Sequence, residues 1–116
     1  MKRLRNHFVG VDQGDVILFS DFEHDGDMWT GDGPRMTRCH VKFSEVYGEI
    51  PAVCVTLSMW DMSNAANARA DVQADDITCG GFVIVFRTWG DTKVARVRVS
   101  WQSIGEVPHG DEWELY

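Results

Sequence analysis

Three features of this sequence predict an antiparallel all-β domain, either a sandwich or a barrel. Six short runs with strand character recur along the chain, turn residues separate them, and no helical segment is long enough to cross over between parallel strands. The runs are residues 15–22, 39–46, 52–60, 68–75, 81–89 and 92–101.

The glycines and proline Gly26, Gly31, Gly33 and Pro34 break the stretch after the first run, and Gly48 with Pro51 punctuates the link from the second to the third. The third run alternates apolar and polar residues around Cys54, where a buried free thiol is the ordinary expectation. Residues 61–67 are small and polar; they have room for a helical turn, although Asn and Ser favour an irregular loop. In the fourth run a period of two sets Ala70, Val72 and Ala74 on one face and Arg69, Asp71, Gln73 and Asp75 on the other. Thr78-Cys79-Gly80-Gly81 then turns the chain into the fifth.

From Phe82 to Phe86 every residue is β-branched or aromatic, and from Val94 to Trp101 small or apolar residues alternate with Arg96, Arg98 and Ser100. With Gly90-Asp91 between them, the last two runs are expected to form a hairpin turning at Trp89-Gly90-Asp91. Asp71 is expected to pair with Arg96 or Arg98, within the chain or between subunits, each pair contributing up to about 1 kcal/mol. Trp89 at the turn has two readings, a cap on the end of the core or an exposed binding surface.

At 116 residues the chain has the length of one domain, with an apolar content that supports a core without metals or disulfides. A formal net charge of −7 argues against nucleic acid as a partner, since phosphate binding needs a basic stripe. No run of 18 apolar residues is present, so no transmembrane helix and no membrane insertion are expected. The basic start, Met1 to Asn6, is followed by no apolar region of signal-peptide type, so action outside the cell would use another route or a particle. Cys39, Cys54 and Cys79 lack CxxC spacing, which speaks against zinc, and their odd number prevents complete internal pairing.

The acidic segment 21–27 sets carboxylates at every second residue and invites calcium, but it lacks the twelve-residue loop pattern with its closing Glu. We expect a solvated turn there, with no metal or other cofactor. His7, His24, His40 and His109 match no hydrolase or metalloprotease spacing, and no carboxylate pair stands out, so no catalytic residue and no enzyme is expected. What remains is Asp32 in the glycine-rich loop, Arg69 before the fourth strand and Trp89 at the turn. A carboxylate that accepts from hydroxyls, a guanidinium that donates to them and an aromatic face are the groups that hold a sugar ring.

The sequence resembles the H-type lectins. The likeness spans residues 31–105, without gaps from Phe43 to Ile104, and has several carriers. These are Val41 and Phe43, the strand Pro51-Ala52-Val53-Cys54-Val55-Thr56-Leu57-Ser58, Asp61, Asn67-Ala68-Arg69, Thr78 with Gly81-Phe82, Thr88-Trp89, Thr92-Lys93-Val94, and Ser100-Trp101 with Ile104. The resemblance implies a six-stranded antiparallel β-sandwich assembled as a homotrimer, or as a dimer of trimers. It also implies clefts between protomers that bind galactose-type or N-acetylgalactosamine-type glycans. The family's aspartate, arginine and tryptophan fall at Asp32, Arg69 and Trp89. Gly90 stands where animal members carry histidine and Ala95 where they carry an aromatic, so the ligand is expected to differ, with Trp60 or Trp29 left to supply surface.

On this reading residues 1–30 add a strand and the acidic loop that complete the domain, with Met28 and Trp29 under the Asp32 loop, residues 31–105 form the lectin-like sandwich, and residues 106–116 are a C-terminal extension. The alternative to a carbohydrate-binding module is a structural trimer, a spike or adaptor of a phage-like particle, in which Asp32 and Arg69 serve the interface and no sugar is bound.

Overall fold

The computed structural model describes residues 1–5 and 7–108. The expectations for His109 and for residues 109–116 of the C-terminal extension therefore lie outside the described residues. Six strands form: β1 (Val9–Ser20), β2 (Arg35–Lys42), β3 (Ala52–Met62), β4 (Asp71–Asp75), β5 (Gly81–Thr88) and β6 (Val94–Glu106). They make two three-stranded antiparallel sheets, ordered β1-β6-β3 and β2-β5-β4. All-β architecture is thus as the sequence predicts. No helix among the described residues is long and apolar enough to cross a membrane.

Period-two alternation directs one face of each sheet inward. Phe82 and Ile84 from β5 meet Val99 from β6 together with Phe43 and Tyr47, and partly buried Val16, Val53, Val55, Val41 and Val72 close around them. A second cluster, Met28, Phe86, Val94 and Val97, fills the end of the sandwich that carries the loop before β2. The acidic segment is not a simple solvated turn. It forms a 3-10 turn at Asp21–Glu23 and a short helix, α1 (Asp27–Thr30), which buries Met28 while Trp29 packs edge-on against Phe22 at 5.4 Å. The Asp21 carboxylate accepts the Met28 N–H at 2.9 Å, so one of these acids holds backbone.

The strand bounds shift from the sequence expectation for identifiable reasons. β1 begins at Val9, six residues early, because Gly10 and Gly14 permit close packing rather than a break; a Cβ on Gly14 would come within 2.9 Å of the Trp101 indole directly opposite it. β2 begins at Arg35 and ends at Lys42, while β6 runs on to Glu106 because β1 and β3 both pair with it toward that end.

The expected hairpin is corrected. β5 and β6 lie in different sheets, each the central strand of its own, and residues 89–93 carry the chain from one layer to the other. A strand already hydrogen-bonded on both edges has no edge left for its sequence neighbour. The ion pairs change with it. Asp71 lies beside Arg87 of β5, at 3.9 Å, whereas Arg96 pairs with Asp61 at 3.3 Å and Arg98 donates to the Ser58 hydroxyl at 3.0 Å, both across β3 and β6.

Candidate functional site

The crossing at 89–93 makes the site. It brings the layer change against two other loops, residues 31–33 before β2 and residues 67–69 before β4. Arg35 joins the pieces. It shares the inward face of β2 with Thr37, Cys39 and Val41, is only 6% exposed, and spends every guanidinium nitrogen on a carbonyl. Nε donates to Gly33 at 2.9 Å, Nη1 to Met28 at 3.1 Å and Asp27 at 3.3 Å, and Nη2 to Thr92 at 2.7 Å and Gly90 at 3.4 Å. The Gly33 N–H closes the same junction by donating to the Gly90 carbonyl at 2.9 Å.

Two buried threonines fix the third loop. The Thr88 hydroxyl donates to the Arg69 carbonyl at 2.6 Å; that of Thr92 donates to the Asn67 carbonyl and accepts the Arg69 N–H at 3.1 Å. Arg69 therefore leaves a clamped backbone. Its guanidinium lies over Gly90 and pairs with the Asp91 carboxylate. On the other side Lys93 reaches the first loop, donating to the Gly31 carbonyl at 2.6 Å and to Asp32 at 2.8 Å.

Of the residues singled out from sequence, Arg69 and Gly90 are in direct contact and Asp32 stands on the neighbouring loop. Trp89 is 44% exposed and lies with Pro34 and Met36 along a groove on the outer side. Among the described residues no hydrogen bond or ion pair joins Asp32 to Arg69. Each is held instead by a residue of the crossing, Lys93 or Asp91. Trp29 is half-buried against Phe22, while Trp60 is 62% exposed and borders a separate apolar groove with Leu57, Met62, Ala68 and Ala70, on the Arg69 side. Ala95 is buried where β6 bulges against Asp61 and Met62, facing away from solvent.

Sequence reasoning passed over Arg35, gave Asp91 only a place in the expected turn, and treated Thr92 and Lys93 only as part of a strand and of a matching strip. A signal was present for Arg35, since an arginine on the apolar parity of a strand must find buried acceptors. For Asp91 and Lys93 the signal was a pair of opposite charges two apart, flanking the threonine of the crossing.

Both carboxylates of the site are held ionised. The hydrogen bond from Lys93, then its charge, lowers the pKa of Asp32; the hydrogen bond from Arg69 does the same for Asp91. A lowered folded-state value means that the pairs contribute stability above the ordinary carboxylate pKa and lose it as pH falls through the folded value, below about 4. Carbon-detected NMR titration is expected to find Asp32 and Asp91 protonating below the ordinary aspartate range, and Asp91 should move back toward that range in an Arg69→Ala variant.

Gly90 has φ of +69°, the left-handed region, and a Cβ there would stand 2.9 Å from Arg69 Nη1. Gly90→Ala is expected to lower stability by about 1 kcal/mol through backbone strain and to push the guanidinium aside. Thermal unfolding reads the first effect.

Known proteins resemble this chain in sequence or in fold. The H-type lectin domain matches residues 38–104. A protein of Fuscovulum blasticum described as ATP synthase subunits region ORF 7 is 55% identical over 107 residues, 92% of this chain and 93% of that protein. A discoidin-1 polypeptide of Dictyostelium discoideum is 36% identical over 73 residues, 62% of this chain and 29% of the relative. A solved structure of discoidin II from the same organism superposes with a TM-score of 0.75 at 24% identity, covering 90% of this chain and 39% of that one. The chain thus spans well under half the length of the discoidins it matches. It belongs to the H-type lectin family, whose domains are binding modules rather than catalysts.

Proposed function

We propose that the chain binds glycans of the galactose or N-acetylgalactosamine type with the loop cluster 31–33, 67–69 and 89–93, in clefts completed by a neighbouring protomer of a homotrimer. The observation that carries this reading is that Asp32, Arg69 and the adjacent pair Trp89-Gly90, on three loops separated in sequence, lie around one layer crossing braced by Arg35, in a chain of the lectin family. A pre-ordered carboxylate and guanidinium exchange their present partners for sugar hydroxyls at little entropic cost.

The shared cleft is supported by the apolar groove of Leu57, Trp60, Met62, Ala68 and Ala70, which approaches Arg69 along the open side of the sandwich where β3 and β4 run close together. Such a strip suits a second copy and would draw Trp60 toward the site. Three pockets on one particle raise avidity above the weak affinity of each. Gly90 brings no side chain to an acetamido group, so galactose and N-acetylgalactosamine are expected to bind within about threefold of each other, a gap of less than one hydrogen bond.

One observation favours the structural alternative: Asp32 and Arg69 already have ionic partners within the chain. A glycan array run with light scattering decides between the two. Binding of galactose-type glycans by a trimer supports the lectin reading; a trimer that binds no glycan refutes it and supports a spike or adaptor role.

A further inference from the structure

A second set of exposed groups lies beside the cluster, on the outer face of the β2-β5-β4 sheet. The register sets Met36, Arg87 and Asp71 in one row across the three strands. Met36 is 50% exposed and, with Pro34, Arg87 and Trp89, lines a groove of about 240 Å³. This groove adjoins the loop cluster, because Pro34 follows Gly33 and Trp89 precedes Gly90, the two residues joined by the N–H to carbonyl bond.

Arg87 is under-used there. Among the described residues its one ionic neighbour is Asp71, at 3.9 Å, with both side chains substantially exposed, and no hydrogen bond holds its guanidinium. An exposed pair at that distance binds its partners weakly. A guanidinium prefers a carboxylate that it can meet with two parallel donors, and the indole beside it offers a flat apolar surface to the C–H face of a pyranose ring.

We propose that this groove is a second subsite, which receives the sugar adjacent to the one bound at Asp32 and Arg69, and that Arg87 selects a carboxylate on that sugar. The proposal rests on the reading of the loop cluster as a sugar site. Asp71 occupies the guanidinium in the free protein and yields to the ligand's acid.

The test titrates the full chain with galactose, galactosyl-galactose, galacturonosyl-galactose and sialyl-galactose at low salt. At least one acidic disaccharide is expected to bind about tenfold more tightly than the neutral one, the scale of a charge-assisted hydrogen bond, and the arm that does so identifies the acid as uronic or sialic. Arg87→Met, which keeps the side-chain stem, should remove the advantage and leave galactose binding unchanged. Asp71→Asn should increase it about twofold, as expected on release of a weak surface pair, and so tests the idea without weakening the site. Equal affinity for neutral and acidic disaccharides, or no response to Arg87→Met, overturns the subsite while the sugar site stands. Arg87-dependent binding of an acidic disaccharide without any galactose binding would retain the subsite and refute the Asp32 and Arg69 reading. No binding in any arm refutes both.

Discussion

Replacing Arg35 with methionine is expected to lower stability by about 3 kcal/mol and to abolish glycan binding. Two effects oppose each other. Removing a buried cation recovers its desolvation penalty, and methionine keeps much of the packing of the stem. Against this, the carbonyls of Gly33, Met28 and Thr92 lose close charged donors in a water-poor junction, and each buried acceptor left unpaired costs about 1–3 kcal/mol. The second effect wins because several acceptors are stranded at once. For a domain of this size the melting temperature should fall by on the order of 10 °C. Arg35→Lys, with three donors in place of five, should fall between the two. Calorimetric unfolding of the three proteins checks the order.

Arg69→Ala is expected to separate binding from folding. Arg69 and Asp91 are both solvent-exposed in part, so loss of their pair should leave the melting temperature close to that of the parent. Affinity for galactose-type glycans should fall at least about tenfold, because the guanidinium's charged hydrogen bonds to sugar hydroxyls have no replacement. Galactose titration of parent and variant, with unfolding run alongside, distinguishes this from general damage. Equal affinities would remove Arg69 from the site.

Much of the architecture was legible in local pattern. Alternation in β4 and β6 gave the inward faces, and the unbroken apolar run 82–86 marked a strand; that both its edges are paired, with β2 and β4, came from the structure. Partner choice was not legible. Trp89-Gly90-Asp91 has the chemistry of a hairpin turn, but turn chemistry describes only a change of direction, and the same residues serve a crossing between layers when each flanking strand already has two neighbours. The paired acids and bases were misassigned for the same reason: Asp71 faces Arg87 because of register, which no spacing within one strand specifies.

The candidate site was legible in its residue types and dark in its supports. Asp32, Arg69 and Trp89 stand out by chemistry and by family resemblance. Arg35, Thr88 and Thr92 act through long-range bonds to carbonyls, and the sequence holds no record of which carbonyls come near. Lys93 and Asp91, two residues apart, hold opposite members of the proposed binding pair, so the free site is an arrangement of two exchangeable ion pairs.

The most direct test of the central claim is an amide NMR map of the isotope-labelled chain titrated with galactose. The largest shifts are expected on residues 31–33, 69 and 89–93, with the Trp89 indole among them. Shifts concentrated elsewhere, or none at millimolar sugar, would contradict it.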